Sequence, residues 1–62
     1  MKVGDLVIMK SKPTSMGIVV GLFDDIYDRG FQGKEVWHMA TVLWYGWNEE
    51  ASFKVERMEV IG

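Results

Sequence analysis

Short runs of β-branched and aromatic residues, each closed by turn residues, occupy most of this 62-residue chain. They lie at positions 3–7, 17–21, 41–46 and 55–61. Runs of this kind, bounded by Gly, Asp, Asn or Ser, are typical of β-strands. No stretch repeats its apolar residues at the spacing of a helix. The pattern therefore predicts an all-β chain.

The turn residues divide the chain into five predicted strands and their connections. We expect strands over residues 2–9, 16–23, 36–45, 49–56 and 58–61. Residues 11–15 contain Pro13 and hydroxyl side chains, which favour a loop. Residues 24–35 form the longest predicted connection, with Gly30 and Gly33 as hinges, and a loop of this length is often functional. A short turn is expected before the last strand.

One domain, residues 1–62, is all that this length allows. A chain of about 60 residues buries only ~60% of the surface that its unfolded form exposes. It contains no cysteine, so disulfides and thiolate metal sites are excluded. Closing five antiparallel strands into a small barrel would bury a core and remove the exposed sheet edges. The sequence therefore predicts a five-stranded antiparallel barrel.

The order of the short motifs resembles that of a known family. The first two motifs are V-G-D-x-V from Val3 to Val7 and G-x-V-V from Gly17 to Val20. The third is V-x-W with a turn glycine from Val42 to Gly46. The last is V-x-x-M-E-V-I, with Met58 in place of the usual leucine. Together they resemble the SH3-like small barrels, particularly KOW-type domains and the compact single-domain barrels encoded by bacteriophages. The resemblance implies a fold more than a function, because such barrels host nucleic-acid, ribosome, peptide and architectural roles.

Aromatic and apolar residues exceed what so small an interior can bury. Apolar residues make up 48% of the chain, with five Met, three Trp, two Tyr and three Phe. If Val42 and Trp44 face the core, alternate residues of the third strand form an outer stripe. Such a stripe can receive a protein partner or a second copy of the chain, or it can be covered by the 24–35 connection. The predicted interaction residues are Trp37, Met39, Leu43, Tyr45, Trp47, Tyr27 and Phe31.

The charge balance argues against a protein that depends on neutralising phosphates. Seven Lys and Arg stand against nine Asp and Glu, which gives a net charge of −2, and phosphate-binding domains normally carry a basic patch. The alternative prediction is a KOW-like nucleic-acid-binding barrel. It would stack bases on Trp37, Tyr45 and Trp47 and place Lys10 and Lys12 on phosphates.

No set of residues predicts catalysis, a cofactor or a metal. The acidic residues of the 24–35 segment begin like a calcium loop, but Ile26 and Arg29 stand where a ligand and a glycine are needed. His38 lies in an apolar strand, and the sequence indicates no nucleophile or carboxylate partner for it. We therefore expect a non-enzymatic interaction or structural module, with no catalytic residue and no cofactor.

The sequence also carries no signal for membrane insertion or export. No apolar run approaches the 18 residues of a membrane span, and Lys2 is followed by Val3-Gly4-Asp5 instead of the apolar segment of a signal peptide. We therefore expect a complete small cytoplasmic protein, in the host cytoplasm or associated with the virion if a phage encodes it.

Overall fold

A computed structural model describes all 62 residues and shows one five-stranded antiparallel sheet. The strands are β1 (Leu6–Met9), β2 (Met16–Asp28), β3 (Lys34–Trp44), β4 (Glu50–Lys54) and β5 (Met58–Val60). Their order in the sheet is β4-β3-β2-β1-β5. The prediction of an all-β chain is confirmed. The two edge strands, β4 and β5, do not pair with each other, so the hydrogen-bonded sheet is not closed.

The long connection predicted over residues 24–35 is wrong. β2 continues to Asp28 and β3 begins at Lys34, so that only residues 29–33 connect them. Across the ladder, Lys34 faces the oppositely charged Asp28, and His38 faces Asp24, with which it forms a hydrogen bond; such cross-strand pairs stabilise a sheet. The chain reverses at Gly30 and Gly33, whose φ angles are +64° and +86°.

This long β2–β3 hairpin makes the molecule elongated. Thirteen residues in β2 span ~43 Å at ~3.3 Å per residue. The molecule measures 41 × 20 × 20 Å, so the hairpin accounts for its longest dimension. Its radius of gyration of 12.9 Å exceeds the ~10.6 Å expected for a compact domain of this length.

The core lies at one end of the hairpin, where β1, β4 and β5 pack with it. Six apolar residues are buried there: Val7, Val19, Ala40, Val42, Trp44 and Met58. Val42 and Trp44 therefore face inward, which is the condition under which alternate residues of β3 form an outer stripe. Met9, Ala51, Phe53 and Val55 pack against this cluster and are half-buried. The small size of the core leaves most of the hairpin outside it.

A β-bulge at Val20 interrupts the ladder between β2 and β3. Val19 pairs with Val42, whereas Gly21 pairs with the next residue, Thr41, and Val20 has no partner. The extra residue breaks the alternation along β2. As a result Leu22, which pairs with the buried Ala40, lies on the same face as Val19.

The first and fourth strands are shorter than predicted. β1 begins at Leu6 instead of residue 2, because Gly4 has a φ of +96° and the Asp5 N–H donates to the carbonyl of Lys2 in a turn. The Asp5 carboxylate accepts the Lys2 N–H at 2.9 Å and fixes this turn. β4 ends at Lys54, and a 3₁₀ turn, Val55–Arg57, leads into β5.

Candidate functional site

Residues 22–38 form a two-stranded arm that extends beyond the rest of the sheet. At the β2 side of the hairpin, β1 pairs with β2 only as far as Ile18, and the backbone hydrogen bonds from the segment before β1 end at Val19. On the other side, β4 pairs with β3 no further than Met39. The arm strands therefore hydrogen-bond only to each other. Isolated two-stranded hairpins are marginally stable in water, so this arm depends on its own side-chain contacts.

One face of the arm continues the core face of the sheet without the strands that would cover it. Leu22, Ile26 and Val36 lie on this face, and their residues are 45%, 63% and 48% exposed. Ile26 and Val36 are direct cross-strand partners. Exposed apolar groups that adjoin in this way are typical of interaction surfaces.

A histidine–aspartate pair lies on the same face, between Leu22 and the Ile26–Val36 pair. His38 Nδ1 is 2.8 Å from Asp24 Oδ1. Because a carboxylate only accepts hydrogen bonds, Nδ1 carries the proton in this contact. Both side chains are more than half exposed. The sequence indicated no carboxylate partner for His38, because this partner, Asp24, comes from β2 and is set by the register of the two strands.

The opposite face of the arm contains a packed aromatic pair. The ring centroids of Tyr27 and Trp37 are 4.3 Å apart with an interplanar angle of 46°. Lys54 Nζ lies 3.5 Å from the centroid of the Trp37 ring, a cation–π contact. Trp37 is therefore half-buried between neighbours and is not the open stacking surface that the outer stripe predicted.

Charged groups surround this aromatic pair. Arg29 Nη2 lies 2.6 Å from Glu35 Oε2. The pKa of Glu35 is lowered, first by the Trp37 indole N–H and then by the Arg29 and Lys54 charges. The indole N–H is close enough to act on the carboxylate but makes no well-aligned hydrogen bond. The ionised carboxylate of Glu35 therefore helps to hold the arm together.

A hydroxyl group anchors the other ring of the pair. Tyr27 Oη donates a hydrogen bond of 2.9 Å to Asp25 Oδ2. This bond, with some desolvation and the Asp25 charge, raises the pKa of Tyr27 above 10.0. Asp28 similarly accepts the Gly30 N–H at 2.9 Å and starts the turn at the tip.

The structure divides the seven predicted interaction residues among separate places. Tyr27 and Trp37 are together on the arm, with Met39 half-buried at its base. Leu43 and Tyr45 are exposed near the core end. Phe31 is alone at the arm tip, and Trp47 packs against Trp44 at the opposite end, with ring centroids 6.1 Å apart. Trp37, Met39 and Leu43 share the outer face of β3, as the alternation predicts, whereas Phe31 and Trp47 lie away from this face at opposite ends of the molecule.

The sequence-based prediction missed a cavity at the end opposite the arm. Its volume is about 170 Å³, and its lining consists of Met9, Ser11, Lys12, Ser15, Trp44, Trp47 and Phe53. Trp44 and Phe53 meet edge to face, with centroids 5.8 Å apart and an interplanar angle of 80°. These residues come from three separate parts of the chain, so only the sheet topology brings them together.

The net charge of the protein resides on the arm. Residues 22–38 contain four carboxylates (Asp24, Asp25, Asp28 and Glu35) and two permanent cations (Arg29 and Lys34), which gives −2. The whole chain is also −2, so the remainder is neutral. No three His, Asp or Glu side chains come together in a set that could hold a metal ion. None of the helical turns is long and apolar enough to cross a membrane.

Comparison with known proteins gives no match: no family model, no curated protein and no solved structure matches this chain. Its function is therefore inferred from the geometry of its own residues.

Proposed function

We propose that this protein is a non-enzymatic interaction module that self-associates through its arm. The observation that carries the proposal is the exposure of large apolar residues on a hairpin that pairs only with itself. On the core-side face these are Leu22, Ile26 and Val36, and on the other face and at the tip they are Phe23, Tyr27 and Phe31. Burial of such residues against another chain removes their apolar surface from water and stabilises the complex.

We also propose that the fold is a variant of the SH3-like small barrel in which the ladder stays open. The strand order supports this, since four consecutive strands form a meander and β5 returns to pair with β1. A 3₁₀ turn, Val55–Arg57, leads into β5. In this variant the elongated β2–β3 hairpin is an addition to a small scaffold, and the scaffold positions it.

The geometry favours a protein partner over a nucleic acid. Tyr27 and Lys54 both pack against the Trp37 ring, so contacts within the chain already occupy part of the surface on which a base would stack. The arm carries a net charge of −2, which repels phosphates. The partly occupied Trp37 ring and the negative charge both argue against the KOW-like alternative, binding of a nucleic acid, at the arm.

Sedimentation analysis over a range of protein concentrations tests the proposal. We expect the wild-type chain to associate reversibly as its concentration rises. In a shortened variant an Asn-Gly turn replaces residues 24–38, which leaves all six core residues in place. This variant is expected to fold and to remain monomeric.

A matched control separates the arm from exposed apolar surface in general. Leu43 is exposed on β3 but lies outside the arm, so Leu43→Ser is expected to associate like the wild type. A wild-type chain that stays monomeric at every concentration would overturn the proposal. Association of the shortened variant with unchanged affinity would also overturn it.

A further inference from the structure

An aromatic side chain projects from the tip of the arm without any contact that explains it. Phe31 lies in the 3₁₀ turn Gly30–Gln32 and is 111% exposed, more than a residue in an extended reference chain. Glycines with positive φ flank it at positions 30 and 33. The turn thus presents the ring to solvent, where it contributes nothing to the stability of its own chain.

The cavity at the other end of the molecule is of a size to hold one such ring. Its volume is about 170 Å³, and an apolar cavity of about 150 Å³ in another protein binds benzene. Trp44, Trp47 and Phe53 provide aromatic walls, and Met9 adds an adaptable apolar side chain. The aromatic walls already contact one another edge to face and at a tilt, and a phenyl ring that enters the cavity can make further contacts of these two kinds.

Phe31 cannot reach the cavity of its own chain. Phe31 precedes β3, and Trp44 is the last of the eleven residues of this strand. At ~3.3 Å per residue the strand separates the two by roughly 36 Å. Only a second molecule can bring this ring to this cavity.

The charges around the two features are complementary. Lys12 is the only charged residue that lines the cavity, and it makes no ion pair within its own chain. The hydroxyl residues Ser11 and Ser15 complete the polar part of the lining. At the other end, the arm has a net charge of −2, which resides on Asp24 and Asp25, because Lys34 and Arg29 balance Asp28 and Glu35 next to the tip. An arm with a net negative charge therefore approaches a basic rim.

We propose that Phe31 of one copy inserts into the Trp44–Trp47–Phe53 cavity of the next copy, with Lys12 on the rim that the acidic arm approaches. The inference rests on the proposed self-association and specifies its contact. Because the two surfaces differ, the contact is heterologous, and repetition of it produces a ring or an open chain of molecules. The contact is small, so the association is expected to be weak and reversible.

Mixing two defective variants tests this directional contact. Phe31→Ala retains the cavity but lacks the ring, and Trp47→Ala retains the ring but lacks a wall of the cavity. Each variant alone is expected to associate about 10- to 100-fold more weakly than the wild type, because one buried aromatic contact is lost. An equimolar mixture is expected to form a 1:1 heterodimer and nothing larger, measured by sedimentation velocity and native mass spectrometry.

The rim charge has a control in the same loop. Lys12→Glu is expected to associate at least about two- to fivefold more weakly than the wild type. Lys10→Glu makes the same charge change outside the cavity lining, and its association is expected to stay closer to that of the wild type. Circular dichroism confirms that each variant folds.

The outcomes distinguish this inference from the proposed function. If the wild type associates but Phe31→Ala associates equally well, the contact proposed here is overturned while arm-mediated association stands. If the mixture yields no heterodimer, the same conclusion holds. A wild type that never associates overturns the proposed function itself.

Discussion

Gly17 and Trp44 are direct cross-strand partners, and the absent side chain at Gly17 leaves the space that the Trp44 ring and its neighbours occupy. A Cβ at Gly17 would lie 3.1 Å from Trp44 Cε3, 2.5 Å from Val42 Cγ1 and 2.8 Å from the backbone oxygen of Leu43. The packing of Trp44, the largest core side chain, thus depends on the absence of a side chain at Gly17. This is a packing requirement, because Gly17 does not have a positive φ.

Substitution of Gly17 by Ala is therefore expected to destabilise the fold. The backbone oxygen of Leu43 cannot move without disturbing the β2–β3 ladder, so the free energy of unfolding should fall by about 1–3 kcal/mol. Gly21→Ala is the control, since a Cβ there meets only Thr41, at 3.8 Å. Urea denaturation measures both variants, and equal stability of the two would contradict the packing argument.

The Tyr27–Trp37 contact is expected to hold the arm strands together. Trp37→Leu keeps an apolar residue but removes the ring contact and the cation–π contact with Lys54. Amide hydrogen exchange in residues 23–28 and 34–38 should accelerate by about 5- to 30-fold, while core amides stay protected. Tyr45→Leu, at an exposed aromatic residue near the core end, should leave arm exchange unchanged. Uniform acceleration over the whole chain would mean that Trp37 belongs to the global fold instead.

Removal of Phe31 is expected to leave stability unchanged. The side chain is fully exposed, and substitutions at such positions change the free energy of unfolding by no more than about 0.5 kcal/mol. Phe31→Ser should therefore unfold at the same urea concentration as the wild type, measured at a protein concentration low enough to keep both monomeric. A clear loss of stability under those conditions would show that the ring packs within its own chain.

Acid is expected to weaken the arm through Glu35. The folded pKa of Glu35 lies below its ordinary value of 4.5, owing first to the Trp37 indole N–H and then to nearby cations. Its contribution to stability is thus present above pH 4.5 and is lost as the pH falls through the folded pKa. Glu35→Gln should therefore show a shallower loss of stability below pH 4.5, measured by urea denaturation at several pH values. Glu49→Gln, at an exposed carboxylate without an ion pair, is the control, and identical slopes for the two variants would refute the role of Glu35.

The existence and type of the strands were predictable because alternation and turn residues are local signals. Phe53, for example, lies in a strand that the sequence pattern indicates directly. The arm was missed because Asp24, Asp25 and Asp28 have low strand propensity. Their cross-strand partners, which overcome this, are visible only when the register of β2 and β3 is known.

The candidate site was predictable in composition but not in arrangement. A surplus of aromatic residues indicated an interaction surface, and the alternation along β3 put Val42 and Trp44 on one face, but only the structure shows that this face points into the core. The partners of Trp37 depend on two separate registers, Asp25 opposite Trp37 and Lys54 opposite Met39. The cavity likewise joins residues from the β1–β2 loop, β3 and β4, which no local pattern relates.

The bulge at Val20 has a consequence for how the arm is directed. All residues of β2 from Gly17 to Asp28 except Val20 pair with a residue of β3. A chain without Val20 therefore retains the same pairs in a regular ladder. It would, however, lose the bend and extra twist that a bulge introduces. The orientation of the arm relative to the core thus depends on Val20, a residue that lies outside both. Deletion of this one residue would change the direction in which the tip points and leave the side chains of the tip unchanged.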